Sequence, residues 1–192
     1  EDTLTNATTA ARVVAQAKVS SSLGALYLVQ AWYAEAEPTY KTAVSLRERI
    51  SGTDSLPVAE GLNKLGMIYR AQGKFAEVEP VLRRAIALYE KNPDANKLEV
   101  ATTLETLADF YRAHGKYELA EPIFQKALTM REEVMGVDHS SIGPSLQNLA
   151  LLNHASGKYE LAEPLYERAL AICEASWGAD HPSMATILNH LA

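Results

Sequence analysis

One cysteine, Cys173, in 192 residues leaves no disulfide to be made within the chain and leaves the redox compartment open. No stretch approaches the ~20 consecutive apolar residues that span a bilayer, so no membrane partner is expected. The 18 basic residues, against 24 acidic ones, are scattered along the chain, which argues against a nucleic-acid partner. The net charge of −6 favours solubility and names no ligand. There is no Gly-rich phosphate loop, no metal-ligand cluster and no nucleophile–base arrangement. Hence no cofactor, metal or catalytic residue is expected, and the chain reads as a non-enzyme. Short alternating strands are missing as well, which excludes a propeller. The chain opens at Glu1 without a basic-then-apolar leader and reads as a processed chain or an excised fragment.

What the chain does have is a repeat. Gly115-Lys116-Tyr117-Glu118-Leu119-Ala120-Glu121-Pro122 returns 42 residues later as Gly157 to Pro164, nearly unchanged. Stepping back by 42 gives Gly73-Lys74-Phe75-Ala76-Glu77-Val78-Glu79-Pro80, and then Ala31-Trp32-Tyr33-Ala34-Glu35-Ala36-Glu37-Pro38. A fixed period in this range marks stacked helical units that bury a core only by stacking. With 47% apolar residues, there is enough to bury.

Each period predicts two helices. Helix A carries Leu beside a small residue: Leu23-Gly24, Leu65-Gly66, Leu107-Ala108, Leu149-Ala150, Leu191-Ala192. Tyr27, Tyr69, Tyr111 and Asn153 follow the Leu by one turn. Ser20, Leu62, Leu104, Leu146 and Leu188 precede it by one turn, so all lie on one helix face. Helix B alternates large and small residues, as in Tyr117, Ala120, Phe124 and Ala127, which suits interdigitated packing. Gly73, Gly115 and Gly157 are expected to stop helix A in the left-handed conformation. Gly136 and Gly178 are expected to end helix B, with Asp138 and Asp180 capping the next helix and Pro182 in its first turn. Pro38, Pro80, Pro122 and Pro164 sit about one turn into helix B, where a slight kink or a tightened first turn is expected. His139 and His181 recur beside the capping Asp, one per period; that spacing favours capping over metal binding. Cys173 is expected on the outer part of helix B, half exposed.

These positions resemble the tetratricopeptide repeat. Leu-Gly, Tyr, Gly-x-Tyr, Ala, aromatic and Ala follow that family's order over residues 15–192. The 42-residue length with Ala-Glu-Pro-Leu-Tyr and Gly-x-Asp-His-Pro is similar to the kinesin-light-chain type. The resemblance implies an all-α fold: a right-handed α-solenoid of stacked antiparallel helix pairs. The expected organisation is a helical extension or cap over 1–14, then repeats at 15–56, 57–98, 99–140 and 141–182. A truncated fifth helix A covers 183–192.

The resemblance also implies a protein or peptide ligand in a concave groove lined by helices A, making the chain an interaction scaffold. Carried across, the family's groove positions give Lys18, Ser21, Ala25, Leu28 and Val29 in the first repeat. The second gives Glu60, Asn63, Met67, Arg70 and Ala71, and the third Thr102, Glu105, Asp109, Arg112 and Ala113. The fourth gives Pro144, Gln147, Leu151, His154 and Ala155. These offsets trace one helix face and are expected to be exposed. Ala25, Leu28, Val29, Met67 and Ala71 make an apolar end. Arg70, Glu105, Asp109 and Arg112 make a charged middle. An apolar anchor followed by mixed charges would suit both. The plainer reading pairs those four charges with one another across adjacent repeats, where exposed ion pairs are worth ~0–1 kcal/mol.

The family's carboxylate clamp does not carry over. Its places hold Ser21, Ala25, Lys64, Thr102 and Thr106 in one register. In the next they hold Asn63, Met67, Thr106, Pro144 and Asn148. A series of amides that would hold a peptide backbone is partly present in Asn63, Gln147, Asn148 and Asn189. A second function class is structural. Ile187, Leu188 and Leu191 lack a following helix B, so this end either continues or packs on another copy, giving a homo-oligomer through the C-terminal helix. Alternatively, the array is the regulatory part of a larger protein whose catalytic domain lies elsewhere.

Overall fold

The period is realised as helical hairpins. A computed structural model describes residues 2–92, 95–178, 185 and 187–189 and divides into two units, Glu1–Ala95 and Asn96–Ala192. The first unit holds α1 (Asp2–Val29), α2 (Tyr33–Ser51), α3 (Leu56–Ala71) and α4 (Phe75–Lys91). The second holds α5 (Lys97–Ala113), α6 (Tyr117–Met135), a 3-10 turn (Ser140–Ile142), α7 (Gly143–Ala155) and α8 (Tyr159–Trp177). Among the described residues there is no strand. Odd-numbered helices are the helices A of the sequence and even-numbered ones the helices B. Helix α1 joins the expected extension and the first helix A into one rod of 28 residues.

The tight turns follow from backbone chemistry. At the end of α3, Lys74 N–H reaches back to the Tyr69 carbonyl (2.9 Å) and Gly73 N–H to that of Arg70 (3.2 Å). This double bond pattern satisfies two orphan carbonyls and requires a left-handed residue between. Gly73, Gly115 and Gly157 supply it at φ 72°, 69° and 76°. In the first hairpin Ala31 takes that place at φ 57°, with the same bonds from Trp32 to Tyr27 and from Ala31 to Leu28. The prolines leave α2, α4, α6 and α8 unbroken. Ahead of three of them the first turn is tightened as expected: Glu77, Leu119 and Leu161 bond three residues back, to Lys74, Lys116 and Lys158.

The predicted core stripes are buried. Leu62, Leu65 and Tyr69 on α3, and Leu104, Leu107 and Tyr111 on α5, are all at most 6% exposed. Opposite them, Val78, Leu82 and Ala85, and Ala120, Phe124 and Ala127, are buried on helices B. Each large side chain so buried is worth about 1.5–3 kcal/mol of transfer free energy. The small residues are there for close approach. A Cβ on Gly66 would lie 2.3 Å from Leu82, and one on Gly24 would lie 2.7 Å from the Tyr40 ring.

Four expectations are corrected. Leu23, a core position by register, is 39% exposed, because among the described residues α2 packs on another face of α1, at Gly24. Cys173 is buried, not half exposed; its sulfur packs 3.4 Å from where a Cβ of Gly143 would stand. Burial pushes its thiol pKa up, away from the reactive thiolate. Asp138 does not cap the following turn. His139 does, its Nδ1 accepting from Ser141 N–H at 3.2 Å. Ile187 is fully buried and Leu188 half exposed, so this helix is not left wholly unpartnered. Expectations for Asp180, His181, Pro182 and Leu191–Ala192 lie outside the described residues.

The repeated motif also makes a contact the period does not announce. Its Lys in one hairpin pairs with its Glu in the hairpin before: Lys74 with Glu37, and Lys158 with Glu121 at 2.6 Å. Glu37 also takes Lys41 at 2.7 Å. The bonds from Lys41 and Lys74 hold its carboxyl down at about 2.

Candidate peptide-binding surfaces

The residues expected to form the apolar end of a groove come together in the first unit. Ala25, Leu28 and Val29 from α1 face Met67 and Ala71 from α3 across a cleft of about 380 Å³. Tyr33 and Tyr40 of α2 form the rest of its apolar lining, and Lys64 and Arg70 stand beside it. Ala25 of α1 and Ala71 of α3 are the small residues of its lining. Its volume lies at the small end of the ~300–1,000 Å³ typical of ligand pockets. It suits a side chain or two of an incoming chain. The aromatic wall from helix B was missed in the sequence, where Tyr33 and Tyr40 read only as core. The signal was present in Gly24, whose missing side chain leaves Tyr40 in reach of this face.

Moving two periods along the chain turns that lining into a different chemistry. Ala25 and Leu28 become Asp109 and Arg112, which pair at 2.6 Å within α5. Lys64, Met67 and Arg70 become Asn148, Leu151 and His154 on α7. Asn148 and Leu151 are part-buried, and His154 is exposed with its ring edge-on to Tyr159 at 5.1 Å. Arg112 also stands near the buried Tyr166 phenol, whose pKa is pushed up chiefly by burial, with Arg112 opposing. Gln147 is part-buried on the same helix.

Two expected groove residues are not open surface. Asn63 is 4% exposed, and its Oδ1 finds no hydrogen-bond partner. It lies one turn from Gly66, whose missing side chain leaves room for Leu82 of α4. Glu105 is engaged inside the second unit. Arg131 of α6 grips it with two bonds, 2.9 and 2.8 Å. Ser145 of α7 donates to it at 2.5 Å, and Arg131 also reaches Thr102 at 2.9 Å. One carboxylate thus ties three helices together, and Glu105 pairs across its hairpin with Arg131.

Among the described residues no three His, Cys, Asp or Glu side chains converge as a metal site. No helix among them is long and apolar enough to cross a membrane.

The tetratricopeptide repeat profile matches residues 15–91, 99–175 and 145–192, and a second profile of that description matches 63–134. No curated protein matches the chain by sequence. Among solved structures, BtubC (BKLC) from P. vanneervenii is similar with a TM-score of 0.74 at 24% identity over 86% of this chain. The chain spans 66% of BtubC's length. A Podosopora anserina protein assigned as a kinesin light chain, with nearly identical TPR-like repeats, gives a TM-score of 0.74 at 20% identity. That match covers 95% of this chain and 84% of the other. At these identities the likeness shows the fold, an all-α helical repeat solenoid. Such repeats typically serve as non-catalytic scaffolds that mediate protein–protein interaction. With turns, core stripes and profile in agreement over most of its length, the chain belongs to the tetratricopeptide repeat family.

Proposed function

We propose that this protein is an interaction scaffold that holds a peptide or protein segment on the faces of its helices A. One apolar side chain of the ligand sits in the cleft between Leu28 and Met67. Charges of the ligand beside that anchor meet Lys64 and Arg70 of the same unit, and Asp109 and Arg112 offer a charged pair to a ligand of the second unit. The supporting observation is the cleft itself. Residues that the family resemblance assigned to a groove line one cavity, together with cationic Lys64 and Arg70. A preformed groove of this kind costs little reorganisation on binding.

The test is selection of a randomised linear peptide library on the intact protein, followed by calorimetry. Recovered peptides should share a large apolar residue beside charged ones. Leu28→Glu should weaken them tenfold or more, and Arg70→Glu with Arg112→Glu should weaken those with acidic flanks. Failure to recover any peptide, or affinities untouched by these variants, would refute the reading.

A further inference from the structure

Within each hairpin a small residue of helix A meets a large one of helix B. Gly24 lies against Tyr40, and Gly66 against Leu82. The same register sets Ala108 against Phe124 and Ala150 against Tyr166, and all four of these are buried. Three of the pairs follow one rule. Leu82 branches at Cγ, and a Cβ on Gly66 would stand 2.7 Å from that atom, so this leucine needs a glycine opposite. Phe124 and Tyr166 are flat beyond Cβ, and each is buried with an alanine opposite. Gly24 breaks the rule. It faces a tyrosine, as Ala150 does, yet carries no methyl.

Glycine inside a helix is less stable than alanine there, and the Ala150 hairpin buries its tyrosine without one. What sets the Gly24 pair apart is the cleft. Tyr40 is 4% exposed and lines it, together with Ala25, Leu28 and Met67. Its ring lies directly on α1. A Cβ at position 24 would stand 2.7 Å from Cε2, 2.8 Å from Cδ2 and 3.2 Å from Cζ of that ring, closer than carbon atoms pack. A methyl there must therefore displace the ring. The close-packed interior does not yield, and the cleft is the open space the ring adjoins.

We infer that Gly24 is a positioning residue for specificity: it recesses the Tyr40 ring against α1 and so sets the largest side chain the cleft admits. This rests on reading the cleft as the seat of the ligand's apolar anchor. Gly24 acts through Tyr40 and not by touching the ligand. With a methyl at position 24 the ring enters the cleft, and large anchors lose their place before small ones do. A misfit of one methylene in an apolar pocket is worth about tenfold or more in affinity.

The experiment uses two probes of different size, N-acetyl-phenylalaninamide and N-acetyl-leucinamide. Each is titrated into methionine-labelled protein and read from the Met67 methyl resonance. Wild type should bind both. Gly24→Ala should weaken the phenylalanine probe by about tenfold and leave the leucine probe nearly unchanged, a change of ranking that a merely structural role would not produce. Gly24→Ala with Tyr40→Ala, which removes the displaced ring, should bind the phenylalanine probe again; this arm holds even if the single variant folds poorly. Equal weakening of both probes, an unchanged ranking, or no recovery in the double variant overturns the inference. So does a wild-type Met67 signal that neither probe moves. A peptide library that yields nothing while the probes behave as expected refutes the scaffold reading and leaves the size rule standing. Peptides held through Leu28 and Met67, with a probe ranking that Gly24→Ala does not alter, refute the size rule alone.

Discussion

The two units share one architecture and differ in what they show to a ligand. Both are built from hairpins closed by the same left-handed turn, and both bury the same alternation of large and small residues. Beside the helices A they diverge. The first unit has an apolar cleft with Lys64 and Arg70 at its side. The second has the Asp109–Arg112 pair, Asn148 and His154 in the matching register, and a Glu105–Arg131–Ser145 network beneath. The comparison separates two kinds of position. Those that recur at the period build the stack, and those that vary at the period set the surface chemistry.

The sharpest test of that separation is the network, because its Glu105 has Ser21 in the matching place of the first unit. Glu105→Ala leaves Arg131 largely buried without its carboxylate and should cost about 1.5–3 kcal/mol, the range for hydrogen bonds to charged groups. Ser21 holds the matching place in the first unit and bonds only its own helix, to the Ala17 carbonyl at 2.9 Å. Ser21→Ala should fall within about 0.5 kcal/mol of wild type. Urea unfolding of both variants gives the comparison, and equal effects would break it.

A matched pair of core substitutions tests what the units share. Ala36 and Ala120 are both fully buried at the same step of helix B. Ala36→Phe and Ala120→Phe should each overpack the hairpin and destabilise by about 1–3 kcal/mol. A melting temperature that stayed put in either variant would mean that the shared register is wrong there.

The smallest expected effect concerns the Lys–Glu clamp. The Glu37 carboxyl is held at about 2, against an ordinary 4.5, by Lys41 and Lys74. A depressed carboxylate adds stability above its unfolded value and loses it as the pH falls through the folded one. Wild type should therefore exceed Glu37→Gln in stability at pH 6, by no more than about 1 kcal/mol for so exposed a group of partners. The gap should close between pH 4.5 and 2. A gap that held constant to pH 2 would remove the clamp from the account.

How much of this could be read from the sequence follows the same division. The turn glycines, the stripe from Leu62 to Tyr69 and the alternation along helix B were legible because each is local and each repeats. The apolar lining of the cleft was legible as a set of residues, since the family's groove positions, carried across by the period, pick out Ala25, Leu28 and Met67. Its closure by Tyr33 and Tyr40 was not, because that depends on how deeply a helix B aromatic reaches past Gly24. Asn63 and Glu105 were read as open surface. The first is buried in the packed hairpin, and the second is claimed by Arg131, 26 residues away on another helix. That separation is not a multiple of the period, so no repeat pattern signals it. Cys173 was misread for a similar reason. Of its counterparts, Arg47 and Arg131 are long and polar and bond partners on other helices, whereas Tyr89 is buried and the small thiol likewise packs down, against Gly143.

The central claim is that the first unit, and not the second, seats the ligand's apolar anchor. A double-mutant cycle on a library-selected peptide tests it most directly: the peptide's apolar anchor is changed to Ala, paired with Met67→Ala and then with Leu151→Ala, and all affinities are taken by calorimetry. The account predicts a coupling of about 1 kcal/mol or more with Met67, in the range seen for contacting residues, and none resolvable with Leu151. A coupling that vanished with Met67, or appeared with Leu151 instead, would contradict it.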